Sequence, residues 1–127
     1  MKPKDVLEQW IDLLNQGKVN EAAAMYAEEA TLLPTFSAKI LKTPADRLDY
    51  FTQLGQKPNL SISHHAATQH VFEHGESLAT LSGIYTFKFD IDGTPLTFEA
   101  RYTFVVDTQQ GAPILHHHSS QIPRGMV

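Results

Sequence analysis

TFEARYTFVV, residues 97–106, is the stretch from which the fold can be read. Phe98, Ala100, Tyr102, Phe104 and Val106 take every second position, with Glu99, Arg101, Thr103 and Val105 between them. A period of two belongs to a β-strand, whose successive side chains point to opposite faces. SGIYTFKF (82–89) repeats the pattern: Tyr85, Phe87 and Phe89 share one face, and Ser82, Ile84, Thr86 and Lys88 the other. Each strand thus has one strongly apolar face and one mixed face. A single sheet under helices leaves one face wet, yet neither face here reads as plainly wet. One is expected to pack on helices and a pocket, the other on a partner subunit. Periodicity does not say which is which.

Working outward, the same alternation gives strands at about 60–73, 77–90, 96–107 and 113–121. Their separators are turn-like: His74-Gly75-Glu76, Asp92-Gly93-Thr94 and Gln109-Gln110-Gly111. The first half of the chain reads as helix. Val6, Trp10, Leu13 and Leu14 recur at spacings of three and four over 3–15, and Gly17 follows as a stop. A second helix is expected over 19–28, carrying Ala22, Ala23, Met25 and Tyr26, with Asn20 as its cap. ATLLPTFS (30–37) reads as extended because Pro34 breaks a helix, and Ile40 and Leu41 form a short extended piece. A third helix starts at Thr43-Pro44, with Asp46 in its first turn, and ends at Gly55. Helices followed by an antiparallel meander define an α+β chain, with the helices on one side of a curved sheet. Its 127 residues suit a single domain, 1–127.

Composition narrows the function. The net charge is -4 and no basic run occurs, which argues against nucleic acid as a partner. The absence of cysteine removes disulfides and thiol nucleophiles. The N-terminus carries no signal-like apolar region and no segment is long and apolar enough for a membrane span, so a cytoplasmic protein is expected. In ILHHHSSQIP (114–123), His116 and His118 point to one side of a strand and His117 to the other. The three cannot converge on one metal from a straight strand, and no HExxH pair is present, so no metal site and no cofactor are expected. No GxSxG elbow exists for Ser119 or Ser120. Glu99 is the one strand-interior carboxylate suited to act as a base.

MYAEEATLLPTFS (25–37), TPADRLDYF (43–51), GIYTFKF (83–89), EARYTFVV (99–106) and ILHHHSSQIP occur in that order. Together they resemble the nuclear-transport-factor-like (cystatin-like cone, SnoaL-like) superfamily. The bacterial branch near the association domain of calcium/calmodulin-dependent protein kinase II is the most similar part. The resemblance implies a cone of helices on a strongly curved, mostly antiparallel sheet that encloses a pocket, and a homodimer built through the sheets. By likeness to an arginine lining the kinase domain's cavity, it places Arg101 in the pocket and gives the Tyr102/Phe104 face to the dimer. Arg101 would then anchor a small anionic or carbonyl-bearing molecule, or pair with Glu99. His116 and His118 would line the pocket beside it, and Trp10 and Tyr26 would supply walls with polar tips. GIYTFKF offers no second arginine on the neighbouring strand. Three functions follow: a small-molecule binder with its polar end at Arg101, His116 and His118; an isomerase, cyclase or hydratase using Glu99, His116 or His118 in acid–base catalysis; or an oligomerisation module.

Overall fold

The computed structural model describes residues 1–126. Helices α1 (Pro3–Asn15), α2 (Val19–Ala23) and α3 (Pro44–Gly55) accompany strands β1 (Tyr26–Leu33), β2 (Ser61–Glu73), β3 (Leu78–Ile91), β4 (Thr94–Asp107) and β5 (Ile114–Gln121). The strands form one sheet in the order β1-β5-β4-β3-β2. From β2 to β5 it is an antiparallel meander, whereas β1 pairs with β5 in parallel. The fold is α+β: helices lie against the concave face of a curved, mostly antiparallel sheet. No helix among the described residues is long and apolar enough to cross a membrane.

Local chemistry sets the elements. The α1 stripe buries Val6, Leu7, Trp10, Ile11 and Leu14. Gly17, at φ 75°, takes the left-handed turn that ends it. The Asn15 amide then clamps α1 to β2, donating to Ile62 O at 2.9 Å and accepting from Ile62 N at 2.7 Å. Thr43 caps α3 by accepting from Asp46 N at 3.2 Å, and Pro44 takes the first turn. Asp92 and Gly93, at φ 52° and 79°, make the tight β3–β4 turn.

The second helix is shorter than the sequence suggests. It stops at Ala23, and Tyr26 opens a strand instead of closing a helix. Asn20 lies within α2, whose cap position is Lys18. A helix this short is marginal on its own, and pairing with β5 claims the residues that follow. The register of β1 on β5 breaks between Tyr26 and Thr31. Arg47 fills the break from α3: Nη1 donates to Ala30 O at 2.7 Å, and Nη2 to Ala27 O at 2.8 Å and Glu28 O at 3.1 Å. The guanidinium carbon lies 5.7 Å from the Tyr26 ring centroid. Arg47 is 1% exposed, so a buried cation, held by carbonyls, bolts α3 to β1.

Candidate functional site

The aromatic residues of β3 and β4 settle the two faces. Tyr85, Phe87, Ala100, Tyr102, Phe104 and Val106 are buried against the helices. The concave interior is therefore the apolar face, and the placement inferred for Arg101 is corrected: Glu99, Arg101, His116 and His118 lie on the outer, convex face. The reason is burial energy. Aromatic side chains bury the most apolar area and go where three helices can cover them.

At the centre of the interior stands His117. Its Nδ1 bonds the Tyr26 hydroxyl at 2.7 Å and its Nε2 the Tyr85 hydroxyl at 3.0 Å. Phe104 stacks on the imidazole at 3.7 Å between centroids, and Trp10 meets it edge-on at 5.2 Å. Burial, with smaller contributions from His116 and His118, pushes the His117 pKa well below its ordinary value. The ring is neutral, so one nitrogen donates and the other accepts. Burial also raises the pKa values of Tyr26 and Tyr85, keeping both hydroxyls protonated. Beyond Tyr85, the Thr35 and Ser119 hydroxyls bond each other. The cavity beside this network measures about 10 Å³, room for one water at most. Trp10 and Tyr26 are buried, and they fill the cone rather than wall a pocket. The Trp10 indole N–H has no hydrogen-bond partner there.

Larger concavities lie elsewhere. A groove of about 590 Å³ at the mouth of the cone has an aromatic floor of Phe36, Tyr50, Phe89 and Phe98 between Lys39 and Lys57. Phe36 N donates to the Tyr50 hydroxyl at 3.3 Å, and burial pushes the Tyr50 pKa up to about 12. The second, an open cavity of about 440 Å³ on the outer face, includes Ser82, Arg101, Thr103, His118 and Ser120 in its lining. Glu99 lies opposite Thr86, outside this cavity, and no ion pair joins it to Arg101. No group of three or more His, Asp or Glu side chains among the described residues is arranged to hold a metal ion.

The sheet register orders the outer face into rows. One runs Phe72, Thr80, Val105, His116, Thr31 across β2, β3, β4, β5 and β1; the next runs His70, Ser82, Thr103, His118, Leu33. Neither contains Asp, Glu, Lys or Arg. Charges enter in the flanking rows, at Asp107 on one side and at Arg101, Glu99 and Lys88 on the other. Desolvation, then the neighbouring His118, lowers the His116 pKa.

His117, Tyr85 and Arg47, the polar groups that organise the interior, were not singled out in the sequence. The signal for His117 was present: alternation puts it opposite His116 and His118, on the face of Tyr102 and Phe104.

Helices covering the concave face of an open, curved sheet define a nuclear-transport-factor-like cone. The sequence matches the family model of the calcium/calmodulin dependent protein kinase II association domain over residues 4–123, and the chain belongs to that family. A provisionally assigned association domain of this type from Xanthomonas campestris superposes with a TM-score of 0.83 at 29% identity, covering 94% of this chain and 84% of that one. A ketosteroid isomerase-like protein from Erwinia carotovora atroseptica superposes with a TM-score of 0.77 at 9% identity, covering 95% and 94%, a likeness of fold alone. No curated protein matches the chain.

Proposed function

We propose that this chain is an association module that pairs with a second copy of itself through the outer face of its sheet. The observation that carries the reading is the pair of charge-free rows across five strands, with Phe72 at their edge 58% exposed. Depletion of charge is what marks the centre of an interface. The charges that border these rows suit a second copy. In a two-fold contact Lys88 of each protomer can meet Glu99 of the other, a reciprocal pairing that self-complementary faces permit. The family's description as an association domain agrees. The filled interior supports the same choice over an enzyme or a binder working inside the cone, because a substrate has no room beside His117.

Sedimentation over a concentration series tests this. The wild type is expected at twice its 14.2 kDa chain mass. Val105→Lys, in the middle of the first row, buries two unpaired ammonium groups in a dimer and is expected to run as a monomer. A wild type at 14.2 kDa throughout, or a Val105→Lys protein that dimerises equally well, refutes the reading.

A further inference from the structure

The outer-face cavity has a chemical character that self-association alone does not explain. Arg101 and Ser120 face each other across β4 and β5, and Thr103 faces Ser82 and His118 in the adjacent row. Strands lie about 4.8 Å apart, so these five side chains converge over three strands. They offer a guanidinium fork, an imidazole and three hydroxyls. Two further polar liners are committed elsewhere. Thr68 donates to His65 O at 2.7 Å and accepts from Ile84 N at 2.9 Å, and the Tyr102 hydroxyl bonds His64 at 2.7 Å. No acidic side chain lines the cavity. The bulge in β2 between His65 and His70 leaves this part of β3 open.

We propose that this cradle is an oxyanion site for a phosphate group, free or esterified, seated on the association face. Arg101 supplies the permanent charge and a bidentate fork. Ser82, Thr103 and Ser120 donate to the remaining oxygens, and His118 adds a donor. The volume exceeds that of a lone phosphate, leaving space for a small alcohol portion. The inference deepens the self-association reading and rests on it in one respect. A bound anion neutralises the two Arg101 side chains that a dimer brings under cover, so phosphate tightens assembly.

The test uses the intact chain with inorganic phosphate and glycerol phosphate, against chloride at matched ionic strength. NMR of the His118 ring and Arg101 guanidinium reads binding, and sedimentation reads assembly. Phosphate-specific shifts at both residues are expected, with at least a tenfold lower dimer dissociation constant. Arg101→Gln abolishes both effects, and Arg101→Lys, which keeps charge without the fork, retains part of them. Tenfold tighter binding of glycerol phosphate identifies the esterified form as the ligand, and equal binding identifies free phosphate. Shifts no larger than with chloride, or an Arg101→Gln protein responding like the wild type, overturn the cradle. A protein that shifts with phosphate but stays monomeric keeps the cradle and overturns self-association instead.

Discussion

Replacing Arg47 with methionine removes the bolt between α3 and β1 while keeping most of the buried stem. The structure fixes what is lost. The bond to Ala30 O is fully buried, and those to Ala27 O and Glu28 O are half-buried. A carbonyl left dry costs about 2 kcal/mol, and each half-buried one, which water can partly satisfy, about 1 kcal/mol. Against this, the wild-type Nε is buried without a partner, and its removal returns about 1 kcal/mol. The net destabilisation is about 3 kcal/mol. Urea unfolding at matched protein concentration measures it, and for a chain of this size it lowers Tm by roughly 10 °C. Arg47→Lys reaches fewer carbonyls and falls between the two. A methionine variant within about 1 kcal/mol of wild type would refute the reasoning. It would mean that the β1 carbonyls find other partners, and that the buried cation contributes little beyond its own desolvation.

His117 gives a pH signature. Its folded pKa is depressed, so between the folded value and the unfolded 6.5 the unfolded chain binds the extra proton. Stability is full above about pH 6.5 and falls as pH drops below it, by up to about 1.4 kcal/mol per pH unit for this one group. His64 and His116 are shifted in the same direction. Denaturation of His117→Phe between pH 6.5 and 5 should therefore show a slope shallower by one proton, not a flat one, and a slope equal to wild type would defeat the assignment. Gly83→Ala places a Cβ 2.6 Å from the Tyr102 hydroxyl and 2.9 Å from its ring. The rigid phenol must move, breaking its 2.7 Å bond to His64, at a cost of roughly 1–3 kcal/mol. Calorimetry should show a melting point several degrees lower, and an unchanged one would mean that the sheet absorbs the methyl group.

The strands were legible because their signal is local. Alternation in residues 82–89 and 97–106 locates β3 and β4, and Asp92-Gly93 marks the turn between them. What was not legible depends on distant partners. Tyr26 continues a helical pattern in the sequence, and only β5, some ninety positions on, makes it a strand residue. The side of the sheet on which Arg101 lies is equally non-local. Alternation fixes that Arg101 and Tyr102 oppose each other, but the face the helices cover follows from total aromatic area. The likeness to the kinase domain's cavity arginine put Arg101 inside, and the burial of Tyr102 and Phe104 puts it outside. Among the residues first singled out, Trp10 and Tyr26 meet at the interior network, while Arg101 and His118 meet at the outer cradle. His116 and Glu99 join neither cavity.

A polar histidine at the centre of an otherwise aromatic interior invites the question of why phenylalanine does not stand there. Phenylalanine would stack on Phe104 as well and would need no partners. The answer lies in β1. This edge strand is the one parallel member of the sheet, its register on β5 is broken, and sliding it by one residue would exchange Leu32 for Thr31 or Leu33 on the interior face. Apolar packing alone distinguishes weakly between leucine at 32 and leucine at 33. Directional bonds distinguish more strongly: the Tyr26 hydroxyl bonds His117 Nδ1, and Arg47 holds the carbonyl of Ala30, next to Thr31 where pairing with β5 resumes. The interior network thus acts as a register lock, a role buried polar groups fill in other folds. It also bears on the outer face, because Thr31 and Leu33 complete the two charge-free rows. A slipped β1 would present Leu32 there instead, so the buried histidine also fixes which side chains the outer face displays.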